Sequence, residues 1–209
     1  MKTDDWIDML AHPAAQLEAQ GKQAQYLWLG SGLLVAVALC AVFWGVDARW
    51  PQWLSTWPYA LKAGSALLVA VLAAIAWRRL LSPTQEPLPV RSGLLMSWAV
   101  LVLVALAMPA LDAPLRDIWQ GTWRQCAPSI VLLAVPVWVA LWQVSKQQAP
   151  VHLRTVGAAM GAVSGGVGAV VYSLHCSEFA PMFIAVWYGL GIAASVLLSV
   201  WLAPRALRW

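Results

Sequence analysis

Six long apolar runs constrain most strongly what this chain can fold into. They lie at about residues 27–46, 60–77, 93–110, 128–145, 154–174 and 181–202. A helix needs about 20 consecutive apolar residues to cross a bilayer, and each run is close to that length. The runs are continuous rather than alternating, which argues against a membrane β-barrel. We therefore predict an all-α, multi-pass membrane protein with six transmembrane helices.

The composition agrees with a chain whose main partner is the lipid bilayer. Of its 209 residues, 61% are hydrophobic and 11% are charged, whereas a soluble domain has about 25% charged residues. The net charge is +4, but the basic residues stand at the ends of runs and do not alternate with stacking aromatics. We therefore expect no direct nucleic-acid partner. The first 25 residues are polar and acidic, so we expect the first run to be a retained anchor.

The distribution of Lys and Arg predicts the orientation of the chain in the membrane. The basic residues on the side of the N-terminus are Lys2, Lys22, Arg78, Arg79, Arg91, Lys146, Arg154, Arg205 and Arg208. The remaining basic residues, on the other side, are Arg49, Lys62, Arg116 and Arg124. The excess on the first side predicts that both termini are cytoplasmic. Cys126 and Cys176 then both face outward, which is the periplasm if the source is a bacterium.

The N-terminal residues form a segment distinct from the apolar runs. We predict a cytoplasmic arm at 1–25 and a membrane domain at 26–209. Thr3 is a plausible N-cap, and Pro13 predicts an arm of two short helical pieces. Acidic and apolar residues share the first piece: Asp4, Asp5, Trp6, Ile7, Met9 and Leu10. Such a face has no core of its own, so it predicts an interfacial helix or a helix that docks in a partner's groove.

Two cysteines occupy comparable places at the ends of apolar runs. Cys126 precedes the fourth run, and Cys176 follows the fifth. The short loop 146–153 predicts that these two segments pack as antiparallel neighbours, with both cysteines on one side. Thiols outside the cytoplasm are readily oxidised. The pair is therefore a structural disulfide, a reactive pair, or two unrelated buried thiols, and the sequence leaves these alternatives open.

His175 and Glu178 flank Cys176 and add two more side chains that can bind metal. With the two cysteines they offer ligands that suit zinc or a heavy metal. Adjacent His and Cys cannot easily turn toward one ion, so we favour transient capture of a thiophilic ion by the two thiols over a structural zinc site. His175 could instead lower the pKa of a thiol or make an interfacial hydrogen bond. Glu178 could cap the sixth helix. Cys40 is expected in the core.

Three further patterns concern packing. Gly157, Gly161 and Gly165 recur at every fourth position of the fifth run, which favours close approach of helix backbones. The loop 111–127 has the spacing of a short amphipathic helix on the outer membrane surface, with Cys126 directed toward the bundle. Most of the 15 tryptophans, Trp77 among them, stand near the ends of runs, as in an aromatic belt. Trp98 and Trp187 lie inside runs, which favours specific packing.

Several stretches also carry a family resemblance. They are MKTDDWIDMLA at the start, the isolated Cys126, LHCSE followed by FIAVWYGLGI, and APRALRW at the end. Together they resemble the NrsF-type family of polytopic anti-sigma factors over nearly the whole chain. The resemblance implies six transmembrane helices, an N-terminal segment that holds an extracytoplasmic-function sigma factor, and outward-facing cysteines used in sensing. It also implies the inner membrane of a bacterium.

These observations predict a regulator rather than an enzyme. The arm would sequester the sigma factor and release it when Cys126 and Cys176 respond to an oxidant or a heavy metal. One alternative is a membrane thiol oxidoreductase, which would favour a CxxC motif and His or charged groups inside the bundle. Another is a small transporter, which would favour acidic residues or broken helices near the middle of the membrane. The sequence has no CxxC motif, and no Asp or Glu lies inside a predicted run.

Overall fold

The computed structural model describes residues 3–81, 119, 121–148 and 150–208, and its regular structure is helical. The helices are α1 (Thr3–Phe43), α2 (Trp50–Trp53), α3 (Trp57–Leu81), α4 (Trp123–Lys146), α5 (Leu153–Tyr172) and α6 (Pro181–Ala206). One stretch of α6, Ile184–Tyr188, is π-helical. The all-α prediction is therefore confirmed for this part of the chain.

Five described helices are long and apolar enough to cross a membrane. They are Gln23–Phe43 of α1 and the whole of α3, α4, α5 and α6. They match the first, second, fourth, fifth and sixth predicted runs, whereas the third, 93–110, lies outside the described residues. Large apolar side chains remain exposed on these helices: Leu34 is 71% exposed, Val42 78% and Leu197 70%. Such a surface suits contact with lipid acyl chains.

The arm does not fold as two separate helical pieces. α1 runs from Thr3 to Phe43 without interruption and passes through Pro13 and through the predicted boundary at residue 25. A proline inside a helix removes one backbone hydrogen bond and often kinks the helix, but the flanking turns can continue it. The expectation of a break at Pro13 is therefore wrong, and the arm continues directly into the first candidate membrane-spanning segment.

Helix α5 forms the centre of the bundle. In its most apolar window 78% of the residues are buried inside the protein, against 17% in the corresponding window of α1. The predicted glycine contacts explain how α5 can be surrounded so closely. A Cβ at Gly157, Gly161 or Gly165 would lie within about 3 Å of atoms of α6, and a Cβ at Gly168 would lie 2.7 Å from the carbonyl oxygen of Ile130 in α4. The prediction of close backbone packing is confirmed.

Three buried or half-buried indoles join the helices near one end of the bundle. The Nε1–H group of Trp77 donates to Ser145 Oγ at 2.9 Å, and that of Trp142 donates to the carbonyl oxygen of Ala206 at 2.9 Å. Trp138 donates in the same way to Ser199 Oγ at 2.7 Å. Trp77 is only 3% exposed, so its assignment to an aromatic belt is wrong. Trp98 lies outside the described residues.

Candidate functional site

Cys126 lies in the first turn of α4 and faces the interior. Its N–H group donates to the carbonyl oxygen of Thr122 at 3.0 Å, and its side chain is 0% exposed. The helix begins at Trp123 rather than at 128, so Cys126 belongs to α4 and does not precede it. Its predicted direction, toward the bundle, is correct. Most of the amphipathic helix predicted at 111–127 lies outside the described residues.

Cys176 lies in the turn that follows α5, at the same end of the bundle as Cys126. Its N–H group donates to the carbonyl oxygen of Tyr172 at 3.1 Å, and its side chain is 1% exposed. The hydroxyl oxygen of Thr122 lies 3.9 Å from its sulfur. Thr122 therefore contacts one cysteine with its backbone and the other with its side chain. Cys126, Cys176 and Cys40 are all free thiols in this structure. We call this part of the bundle the cysteine end.

His175 connects the cysteine end to the loop after α1. Its Nδ1 atom lies 3.1 Å from the carbonyl oxygen of Gly45. Gly45 has a φ of +76°, a left-handed conformation that residues other than glycine rarely adopt. The N–H group of Asp47 donates to the carbonyl oxygen of Leu174 at 3.2 Å. These two contacts hold the loop against the turn. The hydrogen-bonding role considered for His175 is thus the one its geometry supports.

Glu178 does not cap the last membrane helix. The N-cap position of α6 is Ala180, whose side chain cannot accept a hydrogen bond. The carboxyl group of Glu178 instead packs over Gly121, where a Cβ atom would collide with Oε1. Gly121 has a φ of +63°, so this position favours glycine for its conformation as well as for its space.

The described residues do not form a metal site with three or more side-chain ligands. In 3–81, 119, 121–148 and 150–208, no three side chains of His, Cys, Asp or Glu are grouped so that they could hold an ion. His175 lies against Gly45 and Glu178 against Gly121. His175 and Glu178 therefore point toward partners other than Cys176. This agrees with the expectation that adjacent His and Cys side chains cannot easily turn toward one ion. Only the two thiols remain as a candidate pair for a thiophilic ion.

An exposed ion pair lies in the loop beside His175. Arg49 Nη2 lies 3.1 Å from Asp47 Oδ2, and both its side chain and its N–H group donate to the carboxylate. The hydrogen bonds from the Arg49 side chain, and then from its backbone, lower the pKa of the Asp47 carboxyl. The carboxylate in turn raises the pKa of the Arg49 guanidinium. The pair defines the conformation of an exposed loop rather than a reactive group.

Lys62 is the residue at this end that sequence reasoning missed. The prediction counted it among the basic residues of outer loops, but it lies inside α3, is 0% exposed and bonds to the turn that carries Cys176. A lysine inside an apolar run is a signal that could have identified it, because buried ionisable residues in membrane helices commonly mark functional sites. The excess of basic residues on the N-terminal side does not depend on it.

Three indole rings pack together next to Thr122. The ring centroids of Trp119 and Trp123 are 5.0 Å apart, and that of Trp187 lies 5.2 Å from Trp123 and 5.9 Å from Trp119. The specific packing expected for Trp187 is therefore confirmed. The cluster joins the first turn of α4 to the π-helical stretch of α6, so it braces the two segments on either side of the cysteines.

The candidate partner-binding residues occupy the other end of α1. The backbone of Asp4, Asp5, Trp6, Ile7, Met9 and Leu10 is helical. Their side chains lie outside the described part of the structure. The membrane-spanning part of α1 ends at the cysteine end, where Gly45 meets His175, so its first residue, Gln23, lies at the opposite end. The last turn of α6, held by Trp142, lies at that opposite end as well.

Comparison with known proteins assigns the chain to a family. Residues 10–209 match the family described as NrsF, negative regulator of sigma F. The probable anti-sigma-F factor NrsF of Azospira oryzae is 33% identical, and the anti-sigma-F factor NrsF of Caulobacter vibrioides is 32% identical. In both cases the match covers 100% of each chain. No solved structure matches this chain.

Proposed function

The chain belongs to the NrsF family of negative regulators of sigma F, and we propose that it is a membrane-bound switch that holds and releases a sigma factor. The arm, residues 1–25, binds a sigma factor of the extracytoplasmic-function type. The thiols of Cys126 and Cys176 receive the stimulus. The protein lies in the inner membrane of a bacterium, with the arm in the cytoplasm and the cysteine end facing the periplasm.

One observation supports this proposal most strongly: the two candidate functional regions lie at opposite ends of one bundle. The 21 residues Gln23–Phe43 of α1 correspond to about 30 Å of helix, the thickness of the hydrocarbon core. Cys126 and Cys176 lie beyond the far end of this segment. α1 is continuous from Thr3 onward, so the arm and the membrane segment share one helix with no linker between them.

The thiols have two chemical routes to a changed state. An oxidant such as a peroxide would take two electrons from the pair, so that one S–S bond forms while the thiol protons and the peroxide leave as two waters. A thiophilic ion would instead bind both sulfurs and displace the two protons. Either route draws the first turn of α4 toward the turn after α5. Thr122 already touches both residues, so either route disturbs its contacts.

Release of the sigma factor then requires a second packing of the bundle. A stimulus at one site changes affinity at another only if the two sites favour different conformations, and the coupling is reciprocal. Binding of the sigma factor should therefore alter the reactivity of the thiols. That reciprocity distinguishes a switch from a sigma-binding anchor whose cysteines are merely structural.

Co-purification from the native host tests the central claim. Full-length protein, solubilised in mild detergent, should retain a polypeptide that mass spectrometry identifies as a sigma factor. Trp6→Ala combined with Leu10→Ala should abolish this retention, because it removes apolar surface available for docking. The matched control is Leu33→Ala with Leu34→Ala, two exposed positions in the membrane-spanning part of the same helix. Retention of the sigma factor by the arm variant at the parental level would refute the role of the arm.

A further inference from the structure

Lys62 is a fully buried cation that reaches across the bundle to the turn carrying Cys176. It lies in the second turn of α3, and its side chain is 0% exposed. Its Nζ atom donates to the carbonyl oxygen of Cys176 at 2.6 Å and to that of Glu178 at 2.9 Å. Both acceptors lie in the segment between α5 and α6, which has no regular secondary structure there.

Two aromatic rings complete the surroundings of the ammonium group. Nζ lies 5.2 Å from the ring centroid of Phe179 and 5.2 Å from that of Tyr188. Tyr188 ends the π-helical stretch of α6. Within the part of the chain that the structure describes, Arg49–Asp47 is the only ion pair, so no described carboxylate lies within ion-pair distance of this ammonium group. The carboxylate of Glu178 attracts it from farther away, and its direct contacts are with carbonyl dipoles and ring faces.

Burying a cation without partners in an apolar interior costs much free energy, so a buried lysine needs hydrogen bonds that offset this cost. A methionine or leucine would fill the same space without that cost, so the lysine is explained by the bonds that it makes. Those bonds satisfy two backbone acceptors that neither a helix nor a sheet satisfies. They also join α3 to the turn that carries Cys176, and the contact of Nζ with the ring of Tyr188 adds α6.

We propose that Lys62 is a positioning residue that fixes the turn of Cys176 against α3 and so keeps the Cys176 thiol buried until a stimulus arrives. The proposal deepens the switch proposed above and rests on it for its biological meaning. A buried thiol reacts only when its segment opens locally, and the hydrogen bonds of Lys62 must break for this turn to open. Lys62 therefore sets the rate at which Cys176 meets any reagent.

Thiol alkylation in membranes that contain no sigma factor tests this without reference to partner binding. Membranes carrying the full-length protein are treated with N-ethylmaleimide, and each cysteine is followed over time by peptide mass spectrometry. Lys62→Met removes both hydrogen bonds and the charge but keeps a side chain of similar length. We expect alkylation of Cys176 to become at least about tenfold faster, because two charge-assisted hydrogen bonds are lost. Cys40, whose Sγ lies 3.6 Å from the carbonyl oxygen of Val171, should stay at the parental rate.

A matched control and a second variant keep the proposal falsifiable. Trp77→Phe removes another buried hydrogen bond of α3, at the opposite end of that helix, and should leave the alkylation rate of Cys176 unchanged. Should Lys62→Met fail to accumulate, Phe179→Leu is the second variant. It removes one aromatic ring but keeps both hydrogen bonds of Lys62, and it should make the alkylation of Cys176 about threefold faster. Alkylation at the parental rate in the variant tested, or equal acceleration of Cys40 and Cys176, would overturn the proposal. Failure of the anti-sigma function would appear only in the co-purification experiment.

Discussion

The hydroxyl oxygen of Thr122 lies 3.9 Å from the sulfur of Cys176, while the Thr122 carbonyl oxygen accepts the N–H group of Cys126. One residue thus contacts both cysteines. The two segments that carry them meet at the N-terminus of α4. A change in the distance between the two sulfurs should therefore alter the contacts of Thr122 first.

The first prediction concerns the thiols as a pair. Cys126→Ser and Cys176→Ser should each abolish stimulus-dependent release of the sigma factor, and the double variant should behave like either single variant. Residues that act as one unit are non-additive in this way. The measurement is the amount of sigma factor retained on the purified protein before and after treatment with peroxide or a thiophilic ion. Cys40→Ser is the control and should respond like the parent.

The same variants decide whether the pair is instead a structural disulfide. A reactive pair is reduced at rest, so serine at either position should then leave abundance and thermal stability close to the parental values. Loss of a native disulfide typically costs about 2–5 kcal/mol. A large drop in melting temperature for both variants, matched by reduction of the parent with dithiothreitol, would show that the bridge is structural.

The second prediction concerns the contact between α5 and α6. Gly161→Ala should destabilise the protein by about 1–3 kcal/mol, because overpacking forces backbone to move. The new Cβ would lie 2.6 Å from the Cα of Val196 and 2.7 Å from the carbonyl oxygen of Ser195. Thermal unfolding in detergent measures this. Gly64→Ala in α3 is the matched control: apart from the adjacent residues and the backbone of its own helical turns, no atom lies within 4 Å of its added Cβ, so it should be neutral or stabilising.

The third prediction concerns pH and the exposed loop. The hydrogen bonds from Arg49 lower the pKa of Asp47, so any stabilisation by the pair is present above the pKa of the unfolded state. It is lost as the pH falls through the lower, folded value. The side chain of Arg49 is 64% exposed and that of Asp47 is 21% exposed, and ion pairs that water can reach contribute little. Asp47→Asn should therefore unfold at the parental temperature at neutral pH. A clear decrease would mean that the loop has a greater structural role.

The fourth prediction concerns topology. The bias of Lys and Arg predicts that both termini are cytoplasmic. A reporter that is active only outside the cytoplasm should be silent when fused after Trp209 and active when inserted near Asp112. The reverse pattern would place the cysteine end in the cytoplasm and contradict the sensing scheme, although the contacts among Lys62, Thr122 and Cys176 would stand.

The sequence was sufficient to predict the five apolar helices that the structure describes, because a continuous apolar run in lipid satisfies its backbone hydrogen bonds by forming a helix. The glycine spacing predicted close approach of another helix to α5, because residues four apart lie on one face of a helix. The structure identifies α6 as the helix at Gly157, Gly161 and Gly165. The start of α4 was missed by five residues because Arg124 and Gln125 suggest a loop. Polar residues are common in the first turn of a membrane helix, where it leaves the apolar layer.

The surroundings of Cys176 could not be predicted in the same way. The partners of Lys62 are backbone carbonyl groups more than 110 residues later in the chain. Every residue type has such a group, so the bond has no signature of composition or spacing. For Glu178 the sequence offered a cap of the next helix or a place among the metal ligands, but the side chain packs over Gly121, which no local pattern connects to it. Interactions between distant segments decide this end of the bundle.

The glycine-lined contact makes α5 and α6 behave as one stiff body. Backbone meets backbone at Gly157, Gly161 and Gly165, so few side chains between the two helices can change rotamer and absorb a displacement. The turn that carries Cys176 joins this body at one end, and the indole of Trp142 holds its other end at Ala206. A shift at the thiols should therefore displace α5 and α6 together, so the distance moved by the last turn of α6, at the opposite end of the bundle, is determined at the cysteine end.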